Sequence, residues 1–447
     1  MSSRAAKQRY PLPTSPPAVG LPAREILAFL RELSGYLILR NHDVLGNLER
    51  GGDIDLLVQD RASAEKLLIA FFGLPICIVK RSYVWGYSYR WGHVDLLPWV
   101  EWRGAIYLGN ALILSRSATS ILGLPKPSLA HEALVCWFSG LLFGGFFPER
   151  YREVILRAAS EDESAFRSAL IDAVGKSWGR RLFQAARDGC PDVSARWVQH
   201  LRIVVWTRSL VRDPVGTLAR FMQFLSAEFL LRTVVTTPWI AFLGPDGSGK
   251  SSLIAGLQER LMGARFLKGV RIFHWRPGIL HKNAGEVAAV TCPHVLPPHG
   301  SMRSVAKLAF LLADWWIGYW GLLAHLRAKG HLIIFDRCFL DIMADPKRYR
   351  YDAPSALARC VGFLIPRPDL IFVMDALSAV MWGRKREVPL GETVHQRKIY
   401  RELVGRTPSC HLVDASKPLG ESVDFVEQTI IRFMVERAAQ RLHAESA

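Results

Sequence analysis

The sequence predicts an α/β protein in which a parallel sheet flanked by helices fills the second half, preceded by a smaller α+β domain and a helical connector. Three observations carry this. The apolar run Ala241-Phe242-Leu243 breaks into a glycine-rich loop and resumes as Leu253-Ile254-Ala255-Gly256-Leu257, which reads as strand, loop and helix. From Pro238 onward strands and helices alternate, the pattern of a parallel sheet. Ahead of that half, short strands of period-two alternation give way after residue 127 to apolar residues at helical spacing.

The bulk properties set the frame. With 447 residues the chain exceeds what one core serves, and 50% hydrophobic residues suffice to bury more than one. We divide it into an arm at 1–20, a domain at 21–127, a helical connector at 128–235 and a domain at 236–447. The net charge of +17 favours anionic partners such as nucleotides, nucleic acid or an acidic membrane surface, with a merely basic surface as the bland alternative. Seven cysteines, odd in number and never spaced as C-x-x-C, read as reduced thiols of a cytoplasmic protein. Arg4, Lys7 and Arg9 are followed by Pro11, Pro13, Pro16 and Pro17 where a secretory signal would need an apolar core, so the arm is expected to be disordered and not a signal. Leu134 to Phe147 is too short to span a bilayer. Leu308 to Leu326 is long enough, but Asp314 and His325 interrupt it and favour a buried helix.

Taken in order, an amphipathic helix is expected from Glu25 to about Glu32, then a strand at Gly35 to Arg40. A second strand follows at Gly51-Gly52-Asp53-Ile54-Asp55-Leu56-Leu57-Val58. Its period of two puts Asp53 and Asp55 on one face and Ile54 and Leu56 on the other. His93-Val94-Asp95-Leu96-Leu97 is a further strand with a third carboxylate, and three acids on neighbouring strands are what two Mg²⁺ ions require at a nucleotide phosphate. The D-x-D and the later Asp resemble the nucleotidyltransferase fold of the DNA polymerase beta type, over roughly residues 25–125. That family carries a Gly-Gly or Gly-Ser pair after its first strand to hold the triphosphate, and this chain has Arg40-Asn41 there. An active and a degenerate site are both open. In the connector, as in Ala195 to Trp206, arginines alternate with apolar residues and no zinc-finger or RNP-type pattern appears. The arginines are read as a solvated face, with no stable nucleic-acid partner.

The second half holds the chemistry. Gly244, Gly249, Lys250 and Ser251 fill the pattern G-x-x-x-x-G-K-[ST], within Gly244-Pro245-Asp246-Gly247-Ser248-Gly249-Lys250-Ser251-Ser252. The glycines allow close backbone approach to phosphate oxygens, Lys250 brings a positive charge to the β/γ-phosphates, and Ser251 offers a hydroxyl to Mg²⁺. Strands are expected at Val270 to Trp275, ending in Arg276-Pro277-Gly278, and at His331 to Phe335, delivering Asp336-Arg337 at its carboxyl end, where α/β sheets bind ligands. A long helix lies between them from Met302 to Ala328. Pro368 to Ala376 and Cys410 to Ser416 are the remaining strands. Arg384-Lys385-Arg386 lies between them where a lid can reach phosphates, followed by helices at Glu392 to Val404 and Glu421 to Arg441.

These residues resemble a thymidylate kinase-type nucleoside monophosphate kinase over 238–447: the D-G-x-G-K form of the loop, the R-x-P-G-like Arg276-Pro277-Gly278, the D-R pair, and a lid of Arg384 to Arg386 with Gln396 and Tyr400. Val413-Asp414-Ala415 is similar to that family's adenine-side loop. Asp336, at the carboxyl end of its strand, can hold the water shell of Mg²⁺ or accept a proton. The resemblance implies that Lys250 and Ser251 bind ATP and Mg²⁺ and that Asp246 faces the acceptor's sugar hydroxyl. It also implies that Arg276 and Arg337 hold the acceptor phosphate and that Arg384 or Arg386 stabilises the transferring group. The helix around Asp314-Trp315-Trp316 lacks the family's arginine, so Asp314 and the aromatics are expected at the acceptor instead. The function expected is ATP-dependent phosphoryl transfer to a nucleotide or saccharide-like small molecule. The alternatives are a Mg²⁺-dependent nucleotidyltransferase of surface-polysaccharide metabolism and an ATP-gated regulatory module, with peripheral membrane or polysaccharide-assembly association as the wider setting.

Overall fold

In the computed structural model the described residues are 23–42, 53–115, 117–189, 194–233, 237–280, 297–386 and 388–445. The arm at 1–20 and the Gly51-Gly52 pair lie outside them. The chain divides into two units, Met1–Leu230 and Leu231–Ala447.

The first unit begins with a helix, Ala23–Glu32, that buries Ile26, Phe29 and Leu30 along one stripe. Its sheet is mixed: β1 (Tyr36–Ile38), β2 (Asp53–Val58), β3 (Cys77–Lys80), β4 (Trp85–Ser88) and β5 (His93–Leu97), in the order β1-β2-β5-β4-β3. Only β2 and β5 run parallel, so the chain must cross over between them. The helix Arg61–Phe72 and the β3–β4 hairpin make that crossover. Asp60 starts the helix by accepting from the amides of Ala62 and Ser63. The parallel register sets Asp55 beside Asp95 and Asp53 beside His93. Two small ribbons follow, β6 (Val100–Trp102) with β7 (Ala105–Leu108), and β8 (Ser117–Thr119) with β9 (Pro125–Pro127).

The helical stretch after residue 128 packs on this sheet. Leu37, Leu57 and Tyr107 share one core with Trp137, Phe138, Phe166, Leu182 and Leu201. Every residue from Ala130 to Phe138 is buried, which explains the apolar run there without a membrane. That helix ends in a π-helical turn, Ser139–Gly144, closed by Gly145 at φ 76°. No helix among the described residues is long and apolar enough to cross a membrane.

The second unit is built on a five-stranded, all-parallel sheet that fits a P-loop-like fold. Its strands are β10 (Trp239–Leu243), β11 (Gly269–His274), β12 (His331–Asp336), β13 (Leu370–Asp375) and β14 (Cys410–Asp414), in the order β11-β12-β10-β13-β14. β10, β12 and β13 are almost wholly buried, as a sheet covered on both faces demands. One covering helix is Ser301–Gly318. It buries Leu308, Leu311 and Trp315 against Trp239 and Phe335, burial worth roughly 1.5–3 kcal/mol per side chain. The single helix expected from Met302 to Ala328 is instead broken by a π-turn at Tyr319–Leu323, after which Ala324–Ala328 resumes. Arg327 is nearly fully buried behind β10, where it donates to the Thr237 carbonyl and pairs with Asp369.

Candidate active site at the carboxyl edge of the second sheet

The loop Gly244 to Gly249 turns on backbone that side chains resist. Gly244, Gly247 and Gly249 have φ of 143°, 77° and 90°. A Cβ on Gly244 would stand 2.8 Å from the Met374 carbonyl oxygen, and one on Gly247 2.2 Å from that of Met381. The helix Lys250–Leu261 then starts with its first-turn amides pointing into the loop and no side-chain cap. Ser251 and Ser252 are exposed at that end. Lys250 is buried and folds back, its Nζ donating to the carbonyls of Gly244 at 2.7 Å and Pro245 at 2.8 Å and to Ser248 Oγ at 3.4 Å. Burial first, then the Arg337 charge, brings the Lys250 amine down to about 7.

Parallel pairing puts Phe242 beside Asp336, and the Arg337 amide donates to the Phe242 carbonyl at 2.9 Å, so the loop and the Asp336-Arg337 pair share one edge. Arg337 holds a left-handed φ of 71°, as do Trp275 at 63° after β11 and Arg350 at 52°. Non-glycine residues held there cost about 1–3 kcal/mol each and gather at functional sites. Asp336 lies 3.7 Å from His274 Nδ1, while its buried Oδ1 has no hydrogen-bond partner among the described residues. Burial works against ionisation, but His274, Lys250 and Arg337 outweigh it and hold Asp336 below the usual carboxylate range.

Arg337 is tied on both sides. It reaches Asp246 at 2.5 Å and Asp341 at 2.7 Å. Asp246 also pairs with Arg348, and against its burial the arginines and Lys250 pull its carboxyl down to about 2. Asp341, fully buried, accepts from the phenols of Tyr349 at 2.6 Å and of Tyr400. Arg348 is braced by Asp345 at 3.2 Å. Asp341 stands four residues beyond Arg337, but Arg337 lies outside the helix Asp341–Ala344 with a left-handed φ, so the sequence carries no helical-spacing signal for the pair. Arg348 and Tyr349 have none either: they sit in an irregular loop, and only the tertiary fold delivers them.

The remaining expected residues fall in two places. Arg276 lies at the same edge and pairs with Asp314 at 2.9 Å. Asp314, expected to face the acceptor, is instead fully buried, and it also accepts from the amides of Gly278 at 3.2 Å and Leu280 at 2.9 Å. It anchors the Arg276-Pro277-Gly278 loop because three donors are cheaper to satisfy than a lone buried carboxylate is to leave. Trp315 is core and Trp316 and Trp320 are about half exposed, so the aromatic stripe is split between core and surface. Arg384 and Arg386 are exposed at the end of the helix Ser378–Arg384. Met381 and Lys385 of this segment lie directly against Gly247, which sets the lid arginines beside the loop.

The carboxylates of the first unit do not gather into a metal-holding group. Asp53 is exposed. Asp55 is buried and takes both oxygens to Arg40, at 2.5 and 3.0 Å. Asp95 accepts from His93 Nε2 at 2.9 Å, and His93 Nδ1 meets Ser88 Oγ at 2.8 Å. Among the described residues no three His, Cys, Asp or Glu side chains could hold an ion together. Arg40, where the resembled family carries its glycine pair, instead pairs with Asp55 through both carboxylate oxygens. A cavity of about 760 Å³ opens beside these groups, lined by Arg40, Asp55, Asp95, Glu101, Phe143 and Phe147 among others.

At the second site a magnesium ion needs little from the protein, because it keeps several waters and binds through one or two side chains plus substrate phosphates. The exposed Ser251 hydroxyl and the orphaned Asp336 Oδ1 fit that requirement.

No protein-family model matches the chain, and no curated protein matches it. Among solved structures, it is similar to the thymidylate kinase from Ehrlichia chaffeensis, at 17% identity over 43% of this chain and 98% of that one, with a TM-score of 0.31.

Proposed function

We propose that the second unit transfers the γ-phosphoryl group of ATP to a small-molecule acceptor. The observation that carries this is the shared edge: the Lys250 loop and the Asp336-Arg337 pair stand on adjacent parallel strands, with Arg337 bonded to the backbone that leads into the loop. A loop alone would suit a switch. Cations on the acceptor side and at a lid suit transfer, because that chemistry is mostly positioning and charge neutralisation.

The loop amides and Lys250 hold the β- and γ-phosphates. Ser251 and Asp336 would hold Mg²⁺ together with the phosphates, and the ion when bound would supply neutralisation of the charge that develops there. Arg276 and Arg337 position the acceptor, whose oxygen lone pair attacks the γ-phosphorus. The P–O bond to the β-phosphate breaks, and its electron pair leaves with ADP. Arg384 or Arg386, swung over the loop, stabilises the transferring group, while Arg337 is kept aimed by Asp246 and Asp341. Incubating the protein with γ-labelled ATP and a panel of nucleotides, sugars and sugar phosphates tests this. Label should pass to an acceptor, and Lys250→Ala should lower the rate on the order of a hundredfold or more with the fold intact. Undiminished turnover in that variant removes the loop from the mechanism.

For the first unit we propose ligand binding in the cavity without two-metal nucleotidyl transfer. The Arg40–Asp55 pair motivates it, since a guanidinium already neutralises the central carboxylate. Asp95→Asn should then leave γ-phosphoryl transfer within about twofold, the usual independence of separate domains. Transfer of α-label from ATP that disappears in Asp95→Asn would overturn the proposal and restore the metal site.

A further inference from the structure

The acceptor side of the second unit carries more positive charge than one phosphate requires. Four segments meet there: the end of β11, the first turns of the helix Ser301–Gly318, residues 297–299, and the turn around Tyr349-Arg350. Lys307 Nζ donates to the Tyr349 carbonyl at 2.5 Å and lies 5.8 Å from the Trp275 ring centre and 6.0 Å from that of Tyr349. These two rings are stacked, 4.6 Å apart and 18° from parallel. Arg350 Nε is fixed by the Pro297 carbonyl at 2.8 Å, and the His299 amide bonds the Arg350 carbonyl at 2.9 Å.

Among the described residues these charges have no carboxylate partner. Arg303, Lys307 and Arg350 form no ion pair among the described residues. Of the carboxylates around them, Asp314 is committed to Arg276 and two amides, Asp345 to Arg348 and Asp336 to His274, while Asp352, exposed and with its amide on Ser304 Oγ at 2.9 Å, pairs with none of the three cations among the described residues. Arg303 and Lys307 are also four apart on one helix, an arrangement that costs stability when the charges are alike. The helix's first turn contains no acid. Burial, then Arg350 and Arg276, pulls the Lys307 ammonium below its ordinary value. Desolvation, then Arg350, Lys307 and Arg303, does the same to His299. A fold retains such mutual repulsion where an anion relieves it.

We propose that Arg303, Lys307 and Arg350 form a second anion subsite, so that the acceptor is a molecule bearing two or more phosphate-type groups with a flat or apolar face laid on the Trp275–Tyr349 stack. This rests on the kinase reading for the word acceptor, and on the cation cluster alone for the subsite. Arg276 and Arg337 receive the phosphate that reacts, and the cluster receives the other.

Titration calorimetry on the full chain, saturated with a non-hydrolysable ATP analogue and Mg²⁺, separates the two. Inorganic pyrophosphate should bind about tenfold or more tightly than inorganic phosphate. Arg303→Gln, Lys307→Gln and Arg350→Gln should each weaken pyrophosphate by about tenfold, with phosphate, the analogue's affinity and the melting temperature little changed. Equal affinity for the two anions, or pyrophosphate binding indifferent to all three substitutions, overturns the subsite while the kinase reading stands. Failure of the analogue to bind overturns the kinase reading, and the same titrations on the protein alone still test the cluster through the three variants. A short single-stranded oligonucleotide that outcompetes pyrophosphate and is lost in the same variants would overturn the small-molecule acceptor in favour of a nucleic-acid surface.

Discussion

At the proposed ATP site, the lowered Lys250 amine makes nucleotide binding a protonation event. Burial and the neighbouring Arg337 bring its amine to about 7, so at pH 8 about nine-tenths of the molecules carry it neutral, and at pH 6 about one-tenth do. A triphosphate against the amine restores the charged form. Binding of the ATP analogue with Mg²⁺ should therefore take up about 0.9 proton at pH 8 and about 0.1 at pH 6. Calorimetry in buffers of different ionisation enthalpy reads this directly, as the slope of observed enthalpy against buffer enthalpy. The sign for the free protein follows from the same shift. Between about 7 and the ordinary value of 10.5 the unfolded chain binds the extra proton, so stability rises with pH across that window, and below it the full cost is present. The cost reaches up to ~5 kcal/mol, and Lys250→Met, which cannot charge, should melt at a higher temperature than the parent near pH 6.5 without nucleotide. A binding enthalpy at pH 8 that is the same in every buffer refutes the shifted amine, and with it the inference that the folded-back lysine waits uncharged.

Two further predictions concern the residues behind the site. Asp341→Asn should cost about 3–5 kcal/mol in denaturant unfolding of the second unit, because it removes one of the two carboxylates that neutralise the buried Arg337 and leaves only Asp246, whereas Tyr400→Phe removes one hydrogen bond and should cost about 1–3. Asp314→Ala frees the Arg276-Pro277-Gly278 loop, so the acceptor KM should rise several-fold while the KM for ATP holds. A matched rise in both would mean the loop does not belong to the acceptor.

The parts of this protein that were legible in its sequence are those in which one residue type has one physical use. A strand running into Gly244-Pro245-Asp246-Gly247-Ser248-Gly249-Lys250 must turn on left-handed glycines, and the structure has them there. Apolar runs such as His331-Leu332-Ile333-Ile334-Phe335 have nowhere to go but the centre of a parallel sheet, where β12 lies between β10 and β11. Side-chain pairing across the fold was not legible. Period two placed Asp55 on a face with Asp53, but whether a cation or a metal answers it depends on Arg40, fifteen residues away on the neighbouring strand's exit. Asp314 read as a polar interruption of an apolar helix, and interruptions serve pockets and buried anchors alike. The choice is made by Arg276 and two loop amides that the sequence leaves unassigned.

The two aspartates that changed meaning do so for one reason, and it bears on function. A buried carboxylate must find donors or lose its charge, and the nearest donors decide what chemistry remains for a ligand. In the first unit Arg40 answers Asp55, and the metal chemistry expected from the acidic pattern loses its central ligand. In the second, Asp314 answers Arg276 and its loop, and among the described residues no carboxylate pairs with Arg303, Lys307 or Arg350. The same rule gives Asp55 a cation in one unit and, in the other, leaves the proposed anion subsite with no carboxylate partner among the described residues. Charge that the protein does not neutralise itself marks where the ligand must, and in the second unit that place is the acceptor side and not the loop alone.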